Sequence, residues 1–317
     1  MMKIICSAIL TLMALSLHAQ VTKKVVAQDG SGDYTTVQAA LDAVPLHNSQ
    51  PVLIYVKKGT YHEKVHVDST KDFITMIGED EMNTIITWED HAGGRTPAGD
   101  TITTFSSWTF IVKANDFRAE HLTFQNTAGV KAGQAVALSV KGDRIAFIHC
   151  RMIAFQDTLL AGATPGRQYY RNCYIEGSTD FIFGAATALF YKCTIHSNRN
   201  SFITAANTPE SQQLGYVFRD CRITADTSVT KVFLGRPWRP YSSVTYINCF
   251  LGNHILPAGW DNWGKTTNEQ TARYAEYNSY GPGANPAARV PWSKQLSKQE
   301  AKKYTTAFIY GDWKLKP

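Results

Sequence analysis

The chain has 317 residues, 44% apolar and 18% charged, with 22 Gly and 12 Pro. Disorder needs low hydrophobicity with high net charge, and collagen-like or low-complexity chains need far more Gly and Pro, so these classes are excluded. The formal charge of +6, from 32 basic and 26 acidic residues, favours an acidic partner only weakly, and no Lys/Arg run marks a nucleic-acid-binding stripe.

In chain order, Met1-Met2-Lys3, the apolar stretch 4–17 and His18-Ala19-Gln20 read as a secretory signal peptide cut after Ala19. The apolar stretch is too short to span a bilayer, and no later one is long enough. The expectation is a secreted or periplasmic protein with no membrane segment after cleavage. The remaining residues, 20–317, read as one domain. Thr35-Thr-Val-Gln38 reads as a capping box that opens a short helix over residues 35–44, stopped by Pro45.

His62-Glu63-Lys-Val-His66 spells a zinc-protease pattern, but that chemistry needs a helix. Here the motif follows Val52-Leu-Ile-Tyr-Val56 and alternates at Val65 and Val67, which is strand language. The two His would share a strand face too far apart for one ion, and Glu63 takes a structural role near the first coils.

Six cysteines are present, and Cys6 leaves with the signal. The others recur in one setting, with an aromatic three before the Cys and an aliphatic residue or Met two after it. The copies are Phe147/Cys150/Met152, Tyr170/Cys173/Ile175, Phe190/Cys193/Ile195, Phe218/Cys221/Ile223 and Tyr246/Cys249/Leu251. A looser copy, Phe117-Arg-Ala-Glu-His121, places His121 in the Cys slot. Period-two segments repeating every ~20–30 residues, without helical periodicity between them, predict an all-β solenoid. Leucine-rich repeats share the period but need Leu and Asn slots that are missing. A parallel β-helix would stack the Cys–aliphatic pairs inward, about 4.8 Å per coil. Cys173 and Cys193 on adjacent coils form the best pair for a disulfide, with inward-packed thiols as the alternative. Ser297-Lys-Gln-Glu300 is a second capping box and predicts a C-terminal helix.

Asp157 and Asp180 stand at the same offset from Cys150 and Cys173, so stacked Cys slots bring the two carboxylates together. Gln156 precedes Asp157, and an insertion in the loop 129–133 puts Gln134 in the same slot as Gln156. Two close carboxylates cannot both ionise easily, so one is pushed towards its acid form. An arginine beside one of them would keep that one ionised, and Gln N–H groups suit a developing oxyanion. On register alone the same pattern also suits a solvated Asp stack or turn residues. No G-x-S-x-G elbow is present, Asp29-Gly-Ser-Gly32 is no phosphate loop, and the nine histidines have no metal-ligand spacing.

The chain resembles the pectin methylesterases, the pectinesterase family of carbohydrate esterases. The resemblance runs from Val25-Val-Ala-Gln-Asp-Gly-Ser-Gly-Asp-Tyr34 to Tyr277-Asn-Ser-Tyr-Gly-Pro-Gly-Ala284. Its most specific motifs are Gly59-Thr-Tyr61-His-Glu63, Gln134-Ala-Val-Ala-Leu138, Gln156-Asp-Thr-Leu159, Asp180-Phe-Ile-Phe-Gly184 and Leu234-Gly-Arg-Pro-Trp238.

It implies a right-handed parallel β-helix that hydrolyses methyl esters of polygalacturonate with no cofactor or metal. It implies Asp180 as nucleophile, Asp157 as general acid then base, Gln134 and Gln156 as oxyanion hole, and Arg236 as the group holding the nucleophile. Phe183, Trp238 and Trp260 would line the sugar groove. The implied partner is methyl-esterified homogalacturonan, with no nucleic acid and no membrane, and the protein is expected to be a monomer. Taken alone, Arg236 would read as a surface charge, Phe183 as a core residue, and Trp238 and Trp260 equally as packing or groove residues. Many relatives carry an aromatic where this chain has Leu160, and a His-containing stretch where it has residues 161–166, so one groove contact differs. The other readings are a β-helix pectate lyase or polygalacturonase, and a non-catalytic relative that only binds polysaccharide.

Overall fold

A computed structural model describes residues 21–163 and 165–315; the expected signal peptide, residues 1–19, lies outside them. The strands form three sheets of eleven, eight and seven members, and every registered pair runs parallel. One coil shows the path. Ile145–Ile148 lies in the eleven-stranded sheet, Arg151–Ile153 in the eight-stranded and Leu159–Ala161 in the seven-stranded, before Arg167–Arg171 begins the next coil. The fold is the expected all-β, right-handed parallel β-helix.

The repeating tripeptide before each cysteine has a physical reason. The residue just ahead of each Cys turns the corner between two sheets in the left-handed region: His149 (φ 51°), Asn172 (53°), Lys192 (54°), Asp220 (54°) and Asn248 (53°). Asn, Asp and His tolerate that conformation best among residues with a Cβ. The corner side chains meet one another, with the rings of His121 and His149 stacked at 5.2 Å and Asn278 donating to Asn248 Oδ1 at 3.0 Å.

The cysteine then points inward and donates to the previous coil. Cys173 Sγ meets the Phe147 carbonyl at 3.4 Å, Cys193 that of Tyr170 at 3.4 Å, and Cys221 that of Phe190 at 3.3 Å. The aromatics stack beside them, Tyr170 on Phe190 at 4.7 Å, Phe190 on Phe218 at 4.5 Å, and Phe218 on Tyr246 at 4.5 Å. All five cysteines among the described residues are free and buried. Of the two readings open for Cys173 and Cys193, the structure has the inward-packed thiols, each donating to a carbonyl of the coil before it. Burial pushes Cys150 up to about 12.

Three local expectations change. Leu122, not His121, fills the slot equivalent to Cys150, since Thr123 pairs with Arg151; His121 (φ 52°) is the corner residue. The first helix is shorter, Val37–Asp42, with Thr36 rather than Thr35 as its cap, accepting from Ala39 N at 3.2 Å. Glu63 takes the leading N–H groups of that helix, from Val37 at 2.9 Å and Gln38 at 3.0 Å, which gives it the expected structural role. His62 and His66 sit on separate strands, Gly59–His62 and Val65–Val67, in different sheets and not on one face.

The C-terminal capping box forms as expected, opening the helix Lys298–Lys302. A following helix, Thr306–Tyr310, packs on the outer face of the eleven-stranded sheet against Tyr169, Leu189 and Val217. Tyr310 is buried there and donates to the Gln168 carbonyl at 2.7 Å.

Because the thiols are buried and carbonyl-bonded, the native protein should leave all five unmodified by a thiol reagent and expose them only on denaturation. Dithiothreitol should leave the melting temperature unchanged; a drop would reveal a disulfide.

Candidate active site

The seven-stranded sheet carries the site at the points where its strands begin. Leu159 pairs with Ile182, so Asp157 and Asp180 stand on consecutive coils at the same level. The Asp157 N–H donates to the Thr179 carbonyl at 3.1 Å, and the Asp180 N–H to that of Phe202 at 2.8 Å. Both residues lie in the left-handed region, with φ of 65° and 49°. Such backbone is uncommon for non-glycine residues, and here it turns two carboxylates out of the regular inward–outward alternation.

Gln134 and Gln156 pair as an isolated parallel bridge, and Ala135 N donates to the Gln156 carbonyl at 3.1 Å. The loop 129–133 absorbs the extra residues as the sequence suggests, through Gly129 (φ 90°) and Gly133 (φ 81°). Both Gln side chains and both Asp carboxylates line one cleft of about 230 Å³, together with Arg236, Phe183 and Trp238.

Arg236 reaches the cleft from the strand Phe233–Pro237 and grips Asp180 with two hydrogen bonds, Nε to Oδ1 at 3.0 Å and Nη2 to Oδ2 at 2.7 Å. Its guanidinium lies between the rings of Phe202 and Trp263, 3.8 Å and 3.7 Å from their centroids. Flat aromatic faces on both sides fix the plane of the fork and shield the ion pair from water.

The two carboxylates are thereby made unlike. Burial, and then the charge of Asp180, push the Asp157 carboxyl up to about 8. Asp180 is also raised, by burial first, with the hydrogen bonds and charge of Arg236 opposing that rise. The guanidinium on both Asp180 oxygens favours its carboxylate form, and Asp157 is the acid of the pair. An ionised oxygen beside a proton donor, with carboxamides alongside, is suited to acyl transfer.

The aromatic expectations divide. Trp238 lines the cleft, its ring 6.3 Å from that of Phe183. Phe183 is only 3% exposed and packs with Val136, Leu160 and Ala205, so it forms the floor more than a free platform. Trp260 does not belong to the groove. It is 1% exposed and packs in the core against Tyr246 and Tyr274, because it continues the ladder as a parallel bridge with Gly235. Trp263 is the tryptophan of that segment that lines the cleft, after a turn in which Asp261 Oδ1 accepts its N–H at 2.7 Å. The Asp261-Asn262 pair ahead of Trp263 and Gly264 was the available signal. Phe105, 49% exposed on the turn Thr104–Ser106, also lines the cleft and had no comparable signal. Lys64 holds its turn by donating to the Ser106 carbonyl at 2.7 Å.

The pectinesterase family profile matches residues 23–312. The chain is 43% identical to pectinesterase 31 of Arabidopsis thaliana over 87% of its own length and 88% of that protein. Its fold is similar to that of the pectin methylesterase from carrot, with a TM-score of 0.83 and 37% identity over 90% of this chain and 92% of the other. It is also similar to a pectin methylesterase solved in complex with a hexasaccharide, with a TM-score of 0.82 and 29% identity over 93% and 99% of the two chains.

The raised Asp157 carboxyl has a consequence for stability. Folded Asp157 holds its proton up to about pH 8, while the unfolded residue, with its ordinary value of 3.8, releases it earlier. The native state therefore loses stability as pH rises through that window. Asp157→Asn removes the penalty, so it should melt above the wild type, with a gap that widens from pH 4.5 to pH 8 towards a few kcal/mol. Coincident melting curves across that range would contradict the assignment.

Proposed function

The chain belongs to the pectinesterase family and is a carboxylic ester hydrolase; we propose that it hydrolyses the methyl esters of polygalacturonate through an aspartyl acyl-enzyme. The observation that carries this reading is the asymmetric pair: Asp180 gripped twice by Arg236, beside Asp157 pushed up to about 8.

The Asp180 carboxylate attacks the C6 carbonyl of a methyl-esterified unit, and one of its oxygens bonds to C6. The carbonyl electrons move to oxygen, where Gln134 and Gln156 donate N–H groups, each worth about 3 kcal/mol to such an oxyanion. As the intermediate collapses, the C6–methoxy bond breaks and Asp157 gives its proton to the departing oxygen. Methanol leaves, and C6 remains joined to Asp180 as an anhydride. Asp157, now ionised in its buried setting, is a strong enough base to take a proton from water. The water oxygen bonds to C6, the anhydride opens to return the Asp180 carboxylate, Asp157 keeps one water proton, and the galacturonic acid product loses the other to solvent.

The substrate groove is walled by Trp238, Trp263 and Phe105, whose faces suit sugar rings. Export to the periplasm or the cell exterior, a monomeric state and a single domain over residues 20–317 complete the proposal. Among the described residues no helix is long and apolar enough to cross a membrane.

Methanol release from highly methylated pectin in EDTA tests the reading, with Asp180→Asn beside the wild type. The wild type should release methanol without new reducing ends or unsaturated products, and the variant should lose about 10⁴-fold in kcat. No methanol from folded wild type, or chain cleavage in its place, would overturn it.

The pH profile adds a second test. Asp157 must hold a proton to begin the cycle, so kcat/KM should fall as pH rises past about 8. A rate that keeps rising through pH 9 would exclude Asp157 as the acid.

A further inference from the structure

The outer face of the eleven-stranded sheet carries two clefts beneath the C-terminal helices. One, of about 450 Å³, is lined among others by Arg273, Trp292, Lys303 and Phe308. The other, of about 300 Å³, is lined by Arg219, Ile247, Tyr277, Lys298 and Lys302. Tyr304 lines both, so they flank a single ring. Neither shares a residue with the catalytic cleft, which belongs to the seven-stranded sheet on another face of the solenoid. Each is larger than that cleft and of a size that takes small molecules or a few sugar rings.

Strand alternation sets what faces outward here. Phe190, Phe218 and Tyr246 point into the core, so Tyr191, Arg219 and Ile247 face away from it. The ladder then lines up Arg171, Tyr191, Arg219, Ile247 and Tyr277 in one row, a residue per coil, at steps of about 4.8 Å. Lys298 and Lys302 stand four apart on their helix, hence on one side of it, and both are exposed. The cations of this face lack acidic partners. Arg219, Lys298, Lys302 and Lys303 make no ion pair among the described residues. Arg273 gives its N–H groups to the carbonyls of Pro209, Gln212, Gln213 and Tyr241, which satisfies its hydrogen bonds and leaves its charge without a counter-ion. Glu300 is the one acidic side chain lining either cleft, and Lys294 binds it.

We propose that this face is a second, non-catalytic polysaccharide-binding surface, which anchors the enzyme to an acidic galacturonan segment while the seven-stranded face works elsewhere on the polymer. The choice of occupant rests on the esterase reading above, and the charge of the surface supports it. A polyuronate carries one carboxylate per sugar, and its unit length is close to the coil spacing, so successive anions meet successive cations of the row. Tyr304, Tyr277 and Trp292 offer ring faces to the sugars between those charges. Each exposed pair contributes little alone, but several together hold the enzyme on the polymer and raise its local concentration there.

Binding and turnover are measured separately, both in EDTA. Affinity of the full chain for immobilised polygalacturonate is compared for the wild type, for Lys298→Gln/Lys302→Gln, and for Lys23→Gln/Lys58→Gln, which removes the same charge from exposed sites at the opposite end of the solenoid. The helix pair should lose roughly fivefold in affinity and the distant pair should stay close to wild type. Soluble polyglutamate of equal carboxylate concentration should compete less well than soluble polygalacturonate. Equal loss in both variants, no loss in either, or equal competition by polyglutamate overturns the inference, since bulk charge would then account for binding. On a short methyl-esterified oligogalacturonate the helix variant should keep wild-type kcat/KM; a matching loss there would assign the lysines to the catalytic face and refute a separate surface. No methanol from the wild type on that substrate would instead sink the esterase reading, and the affinity comparison would still decide the surface.

Discussion

Everything in the site depends on the hydrogen-bonded register between successive coils. A parallel ladder fixes each residue above its equivalent on the coil before, so equal sequence offsets become spatial neighbours. The inward thiols and stacked rings lock that register from inside, and the polar left-handed corners lock it from outside. With the register fixed, Asp157 and Asp180 have no freedom to separate, and Gln134 is carried beside Gln156 by backbone pairing alone.

Placing two carboxylates at one buried level is costly, and the fold offsets that cost unequally. Asp180 receives a bidentate guanidinium held flat between Phe202 and Trp263, while Asp157 receives no cation of its own and keeps its proton. An ion pair of this kind adds little net stability, since desolvation consumes most of the attraction. Its effect is to decide which carboxylate is charged. The chemistry needs that decision, because a nucleophile and a proton donor must coexist within one cleft.

Much of this was legible in the chain. The cysteine tags revealed the period, the period gave the register, and the register brought the two Asp and two Gln together before any coordinates. Arg236 was different: its strand lies coils away from Asp180, and only the family motif connected them. The misplacements occur where local turns, not ladders, set direction. Trp260 follows the ladder into the core, and Trp263 reaches the cleft only after an Asx turn. His121 and Leu122 differ by one position, which in a strand exchanges corner for core. The capping box at Thr35 failed because Glu63, distant in sequence, already occupied the helix N-terminus. Phe105 is a lone exposed ring on a turn, and nothing local distinguishes such a residue from ordinary surface.

The unequal protonation of the carboxylate pair is the central claim, and ¹³C NMR titration of labelled aspartate carboxyls tests it most directly. The account predicts that one resonance titrates near pH 8 and disappears in Asp157→Asn, while the Asp180 resonance, held by the Arg236 ion pair, is that of a carboxylate at pH 7. Two ionised carboxylates at pH 7, or a protonated Asp180 beside an ionised Asp157, would contradict it.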